Sequence, residues 1–266
     1  MRRPIALLLP TVVALPLAWS TVPSSPAAAA ECSVAAEPEY AGRMPTGQEV
    51  LGYDIGSQEA SAADLNAYLD AVDAASDEVT TGTIGRSVDG RPLRYAVVGD
   101  PRDVARAQRA ARTLRDPDTS RAEAARIAES APAITWMAGN VHGNEESGAD
   151  ASLAMLYALT DRTDCAAQLI RDNTVTVIIP TQNPDGREMD TRRNAYGFDL
   201  NRDWFARTQA ETDGKVDLLW KYPPLLMSDN HEMGGTEFFF PPNADPVYHD
   251  ISDQSVSWIN ERYGGA

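Results

Sequence analysis

Hydrophobic positions in this chain first recur at helical spacing in "SAADLNAYLDAVDAAS", residues 61–76. Leu65, Leu69 and Val72 are three or four residues apart, which places them on one face of a helix. Ser61 precedes this apolar stripe and is a preferred residue type for a helix N-cap. The segment therefore predicts an amphipathic helix that buries one side.

Alternating polar and apolar residues follow in "VTTGTIGRSVDGRPLRYAVVG", residues 79–99. A period of two indicates strands, and the central Asp-Gly pair favours a tight turn, so a hairpin is expected. Residues 102–130 are rich in Ala, Arg, Asp and Glu and contain an Asp-Pro pair at positions 116 and 117. This composition predicts two exposed helices that are separated at the proline.

Strand-like and helix-like segments then alternate to the end of the chain. Short apolar runs predict strands at "AITWMAG", "TVTVIIP", "PLLMSDNHE" and "TEFFFPP", and helices are expected at residues 149–160, 163–171, 216–222 and 245–263. Such alternation is typical of an α/β fold. We expect a three-layer sandwich in which a mostly parallel, mixed sheet is flanked by helices.

Three of the predicted strands end in polar loops that carry chemically active side chains. The loops contain "HGNE", "NPDGREMDTRRNAYGFDLNRDW" and "DNHEMGG". Ligand sites in α/β sheets gather beyond the carboxyl ends of the strands. If the three strands are neighbours, these loops should therefore meet at one edge of the sheet.

Residues 1–30 have the pattern of a secretory signal peptide. Arg2 and Arg3 form a short positive region, a proline-interrupted apolar stretch follows, and small residues at 27–30 suit cleavage. No later segment approaches ~20 apolar residues, so a secreted protein without a membrane span is expected. Residues 31–50 lack any hydrophobic period and are interpreted as an extended lead-in.

Net charge and cysteine content narrow the partners and the compartment. The formal charge is −16, and removing the two signal arginines gives −16 − 2 = −18. This acidity argues against nucleic acid and anionic membranes, which bind to basic surfaces. Export permits a disulfide between Cys32 and Cys165, and the alternative is two unpaired thiols. Glu31 argues against a lipid anchor on Cys32, because a small residue is required there.

The "HGNE" loop places His142 three residues before Glu145, and a later loop offers His231. Two histidines and a carboxylate are a common ligand set for a catalytic zinc ion, which keeps its fourth position open. Gly139 and Gly143 tolerate positive φ and so permit a turn that brings both side chains to one ion. Taken alone, the motif favours a hydrogen-bonded loop pair over a metal site, because an H-x-x-E spacing often arises by chance.

Other catalytic signatures are missing from the sequence. "HEMGGTE" and "HGNEES" do not match the helical zinc motifs H-E-x-x-H and H-x-x-E-H. The chain contains no G-x-S-x-G elbow, no P-loop and no G-x-G-x-x-G motif. Cysteine catalysis would depend on Cys165, which lies on a predicted helix without a histidine nearby in sequence.

The middle loop concentrates cations in an otherwise acidic chain. Guanidinium groups bind carboxylates through paired hydrogen bonds and can stabilise an oxyanion. The alternative is that they neutralise acidic neighbours such as Asp185, Glu188, Asp190 and Asp199. The four arginines are Arg187, Arg192, Arg193 and Arg202.

Taken together, the ordered motifs resemble those of the zinc carboxypeptidases of the funnelin type, family M14. The family shows H-x-x-E, N-P-D-G, R-x-N-x-x-G-x-D-L-N-R and D-x-H, each associated with successive strands. The chain has "HGNE", "NPDG", "RRNAYGFDLNR" and "DNH" in the same order. The resemblance implies a carboxypeptidase/phosphorylase-like fold, with residues 51–266 as part of the catalytic domain.

The resemblance also implies roles for individual residues. Arg192 is similar to the arginine that polarises the scissile carbonyl and steadies the oxyanion, so it is the expected catalytic residue. Asn201 and Arg202 resemble the pair that binds the terminal carboxylate of a peptide or protein substrate. The expected Zn²⁺ ligands are His142, Glu145 and His231.

Two features depart from the family pattern. Asp203 stands where the family usually has Asn, and we interpret it as structural. The family's general-base glutamate and substrate-capping tyrosine lie far beyond the third ligand, whereas 266 − 231 = 35 residues follow His231. Glu232 is expected to point away from the site. A C-terminally truncated fragment is therefore expected, and loss of a general base costs ~10²–10⁴-fold in rate.

The sequence thus favours a secreted zinc metallocarboxypeptidase that hydrolyses C-terminal peptide bonds through a zinc-activated water. One alternative is a zinc amidohydrolase of N-acyl amino acids or cell-wall peptides. Another is a non-catalytic zinc- or peptide-binding fragment that lacks the general base.

Overall fold

The structure, a computed structural model, describes Cys32, residues 37–232, residues 253–258 and Glu261. The predicted signal peptide and the predicted strand "TEFFFPP" lie outside the described residues, as does most of the helix predicted at 245–263.

Five strands form one mixed, open sheet in the order β1-β2-β4-β3-β5. β1 pairs antiparallel with β2, and β2 pairs antiparallel with β4, whereas β3 lies parallel to both β4 and β5. The predicted α/β fold and the predicted hairpin are therefore confirmed. The strands are β1 (Val79–Arg86), β2 (Pro92–Val98), β3 (Ala133–Ala138), β4 (Thr174–Ile179) and β5 (Leu226–Asp229).

Helices flank the sheet on both sides. Most of them have an N-cap residue whose side chain accepts a hydrogen bond from a backbone amide of the first turn. Ser61 caps the first long helix as predicted. Its hydroxyl accepts a hydrogen bond from the Asp64 amide, and the Asp64 carboxylate accepts one from the Ser61 amide. None of the helices in the described part of the chain is long and apolar enough to cross a membrane. The helices are α1 (Gly47–Val50), α2 (Ala62–Ala75), α3 (Pro101–Arg115), α4 (Arg121–Ser130), α5 (Ser147–Asp161), α6 (Cys165–Asn173), α7 (Pro184–Glu188), α8 (Ala210–Lys221) and α9 (Asp253–Trp258).

One face of the sheet is covered by α2 and α5. The predicted stripe of α2 is fully buried, and it packs with Leu153 and Leu156 of α5 against Ile178 of β4. Burial of each such aliphatic side chain contributes about 1.5–3 kcal/mol relative to exposure. The apolar period read from the sequence therefore fixes which side of α2 meets the sheet.

The opposite face is covered by α3 and α8. Val175, Val177 and Ile179 of β4 point to this side and pack with Ala107 of α3 and Leu218 of α8. Since consecutive residues of β4 contribute to opposite faces, the strand is buried on both sides. Helix, sheet and helix form the three layers expected from the sequence.

The segment before α2 is attached to the body by a buried carboxylate and a disulfide. Asp161, at the end of α5, accepts hydrogen bonds from the backbone amides of Gly42, Arg43 and Met44. Cys32 and Cys165 are joined in a disulfide with a Cα–Cα distance of 5.3 Å, which settles the alternative left open by the sequence. The lead-in predicted as extended ends in the one-turn helix α1.

Candidate metal and substrate site

The predicted site loops meet at the carboxyl ends of three adjacent parallel strands. β3 lies between β4 and β5, so the loops that follow these strands are neighbours. The "HGNE" loop follows β3, the "NPDG" segment follows β4, and "DNH" includes the end of β5. The expected meeting of the loops at one sheet edge is confirmed.

At this edge, the side chains of His142, Glu145 and His231 converge. One nitrogen of each imidazole and a carboxylate oxygen of Glu145 all lie within 4.8 Å of one another. The Nδ1 atoms of His142 and His231 are 2.7 Å and 2.8 Å from the two oxygens of Glu145. His142 and Glu145 are buried, and His231 is the more exposed member of the cluster.

Asn140 shapes the turn that brings His142 and Glu145 together. Its backbone adopts the left-handed conformation, with φ of 56°. Its side-chain amide donates to the carbonyls of His142, Gly143 and Glu145, and its carbonyl accepts from the Thr181 hydroxyl. Asparagine tolerates positive φ better than most residues and also satisfies these inward-facing carbonyls.

The reason we gave for the two glycines of this turn is wrong. Gly139 and Gly143 are not among the positive-φ residues, so the turn does not depend on their conformational freedom. Both are instead needed for close backbone contacts. A Cβ on Gly139 would overlap the backbone of Gly148, and a Cβ on Gly143 would overlap the backbone of Gly186 in α7.

Each histidine of the cluster presents its second ring nitrogen to an aspartate. Nε2 of His142 lies 3.2 Å from Asp199, and Nε2 of His231 lies 3.4 Å from Asp229. Hydrogen bonding to Asp229 raises the pKa of His231, which outweighs the opposing effect of burial. A carboxylate thus faces Nε2 of each ring, while both Nδ1 atoms face Glu145.

Arg192 lies beside the cluster. Its NH1 group is 3.2 Å from Nδ1 of His142 and 3.8 Å from Glu145, while its Nε donates to Asp199 at 3.0 Å. Burial alone would raise the pKa of Asp199, but the hydrogen bond from Arg192 holds this pKa below its usual range. The guanidinium is thus held close to the predicted ligands, with 44% of the side chain exposed.

Asn201 and Arg202 lie on a single 3-10 turn, Leu200–Arg202, at the rim of the cluster. The Asn201 amide is 3.5 Å from Nε2 of His231, and its oxygen accepts from the Trp204 indole at 3.1 Å. Arg202 is exposed, and no carboxylate within the described residues forms an ion pair with it. Its exposed guanidinium donates to the Asn201 carbonyl at 2.9 Å.

Asp203 is structural, as expected from the sequence. It is fully buried and accepts hydrogen bonds from the amide and hydroxyl of Thr208 and the amide of Gln209. Two of the four loop arginines are structural as well. Arg187 is buried and donates to the Ala60 carbonyl, and Arg193 donates to the Gly197 carbonyl.

Glu232 follows the third predicted ligand but turns towards a helix. Its carboxylate accepts from the Ser147 amide at the start of α5, whose N-cap residue, Glu146, makes no side-chain cap bond. A carboxylate at a helix N-terminus is favoured by the helix dipole. This contact agrees with the expectation that Glu232 does not face the cluster.

Sequence reasoning missed the supporting residues of the site. Asp229 is the aspartate of the "DNH" motif, two positions before His231, but no role was predicted for it from the sequence. Gln182 and Lys215 carried no motif, because their partners lie far away in sequence. Asn140 lies inside the turn that it supports, but no motif marked it.

The donor chemistry of the cluster fits zinc. Two imidazole nitrogens and one carboxylate are typical of catalytic zinc sites, and Glu145 already lies between the two histidines. Asp199 and Asp229, which lie against Nε2 of His142 and His231, are the outer partners that such histidines normally have.

Comparison with known proteins agrees with this geometry. The family model "Zinc carboxypeptidase" matches residues 65–221, which is more than half of the chain. The chain belongs to the zinc carboxypeptidase family. Membership of this family indicates a hydrolase.

Similar proteins share both sequence and fold over a limited part of their length. Carboxypeptidase 2 of Trichophyton rubrum is 33% identical over 113 residues, which cover 42% of this chain and 21% of that protein. Carboxypeptidase SOL1 of Arabidopsis thaliana is 32% identical over 125 residues, covering 46% and 20% respectively. The matched region thus corresponds to about a fifth of these relatives.

The fold is similar to that of solved carboxypeptidases. The carboxypeptidase A of Helicoverpa armigera superposes with a TM-score of 0.52 at 21% identity, covering 66% of this chain and 46% of that one. At this identity the likeness concerns the fold alone, and it supports the mixed sheet with flanking helices.

Proposed function

We propose that this zinc carboxypeptidase family member is a secreted metallocarboxypeptidase that binds Zn²⁺ through His142, Glu145 and His231. The observation that carries the proposal is the convergence of three ligand atoms within 4.8 Å at the carboxyl ends of parallel strands. A zinc ion bound there supplies Lewis-acid activation of water and of the scissile carbonyl. Residues 51–266 are proposed to belong to the catalytic domain.

The remaining site residues suit recognition of a peptide C-terminus. Arg192 points its guanidinium at the cluster, where it is placed to stabilise negative charge on the carbonyl oxygen of a bound substrate. Asn201 lies next to His231, and the same turn carries the exposed guanidinium of Arg202. These two groups are proposed to bind the terminal carboxylate, which positions the last peptide bond near the metal.

Secretion is part of the proposal, and two observations support it. Residues 1–30 have the pattern of a cleavable signal peptide. The disulfide between Cys32 and Cys165 suits an oxidising compartment, where such bonds persist.

Metal content tests the ligand assignment. We expect His142→Ala and His231→Ala to lose most of the zinc that the unchanged chain retains after dialysis, measured by atomic absorption. Far-ultraviolet circular dichroism verifies that the variants are folded. Unchanged zinc content in both folded variants would contradict the assignment.

Peptide binding tests the carboxylate-binding pair. Arg202→Ala should weaken binding of a peptide with a free C-terminus by roughly 10–100-fold, since a charged hydrogen bond contributes about 1.5–3 kcal/mol. The same peptide with an amidated C-terminus should bind the variant and the unchanged protein equally. Arg193→Ala is the matched control, because that arginine contacts the Gly197 carbonyl in the same loop. Equal losses for both peptides would refute the role of Arg202.

A further inference from the structure

Lysine is rare in this chain, and one of its two lysines is buried. The sequence contains Lys215 and Lys221 among 23 lysine and arginine residues. Both lie on α8, but Lys215 is only 2% exposed. Burying an ammonium group is unfavourable unless it is paired and hydrogen-bonded, so its partners are informative.

The Lys215 ammonium group has two close partners. Its Nζ donates to Oε1 of Gln182 at 2.5 Å and lies 3.6 Å from the centre of the Trp204 ring. Burial lowers the pKa of Lys215 to about 8, even though the charges of Asp229 and Asp203 act to raise it. The aromatic face and the amide oxygen therefore hold a buried cation.

From Gln182 the contacts continue to the metal-ligand cluster. Gln182 is itself buried, and its Nε2 donates to Asp229 at 3.0 Å and to the Gly139 carbonyl at 3.2 Å. The other oxygen of Asp229 lies 3.4 Å from Nε2 of His231. Three successive contacts thus connect Lys215 to the proposed zinc ligand.

The chemistry of the side chains fixes which group donates and which accepts in these hydrogen bonds. An ammonium group has donors only, so the Gln182 amide must present its oxygen to Lys215 and its NH₂ group to Asp229. Asp229 then remains a pure acceptor that takes the Nε2–H of His231. Nδ1 of His231 then faces Glu145, at 2.8 Å from its carboxylate.

We propose that Lys215 is a positioning residue, which acts through Gln182 and Asp229 to hold His231 in its metal-binding orientation. The inference rests on the proposed zinc site, because it assigns His231 as a ligand. Lys215 does not contact the metal cluster directly, so its role is distinct from that of a ligand. Residues behind zinc-binding histidines typically change metal affinity by 10–100-fold when they are replaced.

Zinc affinity of the full chain, measured by competition with a chromogenic chelator, tests the proposal. Lys215→Met keeps an unbranched side chain that is one atom shorter and leaves the Gln182 oxygen without its donor. We expect zinc to bind at least ~10-fold more weakly to this variant. Lys221→Met is the matched control on the same helix, where Nζ donates to the Tyr95 hydroxyl at 3.4 Å and lies 5.1 Å from the Tyr222 ring, and it should bind zinc like the unchanged chain.

A second variant separates positioning from a general loss of structure. Gln182→Glu retains a partner for Lys215 but replaces the NH₂ donor with an oxygen that repels Asp229. If the inference is correct, this variant folds with Lys215 still paired, yet loses zinc affinity to a similar extent. The visible absorption spectrum of the cobalt-loaded protein should also change in both variants, because it reports on ligand geometry.

The outcomes distinguish this inference from the proposed function. Zinc affinity and cobalt spectra that are unchanged in folded Lys215→Met and Gln182→Glu would overturn the positioning role and leave the zinc site standing. Failure of the unchanged chain and of Lys221→Met to bind zinc would overturn the proposed function itself.

Discussion

Buried carboxylates hold the loops of this protein in place, and Asp203 shows how a single residue does so. It follows Arg202 in sequence, but its two oxygens accept from Thr208 and Gln209 rather than from a substrate-binding group. Burial alone would raise the pKa of Asp203, but these hydrogen bonds together hold it below its usual value. The charged form of Asp203 therefore stabilises the folded state.

Replacing Asp203 with Ala should destabilise the protein by about 1–3 kcal/mol at pH 7, because buried donors lose their acceptor. Since the pKa is depressed on folding, the stabilisation is present above the unfolded value of about 3.9 and is lost as pH falls through the folded value. Urea unfolding at pH 7 and pH 3 should therefore show a larger difference between variant and unchanged protein at pH 7.

Asp213→Ala serves as the control for this residue. The Asp213 side chain is 54% exposed and pairs with Arg207, so its replacement should cost less than about 1 kcal/mol. An equal cost for Asp203→Ala and Asp213→Ala would contradict the structural role of Asp203.

At the scale of elements, the candidate site depends on the close approach of the "HGNE" turn to α7. The backbone of Gly143 lies against that of Gly186, so the two loops have no room for a side chain between them. Asn183 caps α7 by accepting from the Gly186 amide, which fixes the position of that helix. This contact sets the distance between the turn that carries His142 and Glu145 and the middle loop that carries Arg192.

Gly143→Ala should therefore separate the turn from α7. The new methyl group meets backbone atoms, which cannot rotate away, so a destabilisation of about 3 kcal/mol and a clear loss of bound zinc are expected. Denaturant unfolding and atomic absorption measure the two effects.

Gly197→Ala is the comparison for this glycine variant. Gly197 has φ of 75° and open space around its Cα. An alanine there must adopt the left-handed conformation, which costs about 1–2 kcal/mol, but it meets no neighbouring atoms. The zinc content should therefore stay unaltered. Retention of full zinc content by Gly143→Ala would show that the two loops can separate without moving the ligands.

For the whole molecule, the disulfide connects the N-terminal part of the described chain to α6. The two cysteines are 133 residues apart in sequence, so the bond closes a loop that includes most of the sheet. A crosslink across a long loop restricts the unfolded chain more than the folded one. Together with Asp161, it holds the segment before α2 against the body.

Cys32→Ser combined with Cys165→Ser should lower the free energy of unfolding by about 2–4 kcal/mol. Guanidinium unfolding with and without a reductant measures the effect. Reductant should destabilise the unchanged protein by a similar amount and leave the double variant unaffected. Identical unfolding midpoints for all four samples would contradict a stabilising bond.

The sequence determined the elements, because the forces that select them act over a few residues. The apolar stripe of α2 and its Ser61 cap were predictable, as were the hairpin of β1 and β2 and the break between α3 and α4. The order of the motifs also identified the family, which the family model confirms.

Tertiary structure decided the contacts of the site, because they join residues that no local pattern relates. His142 meets Asp199 across 57 positions, and Glu145 meets His231 across 86. The strand order β4-β3-β5 brings these residues to one edge, and a short period along the chain does not encode strand order. For the same reason the sequence suggested flexible glycines in the "HGNE" turn, whereas the fold needed close backbone contact there and placed Asn140 at the positive φ.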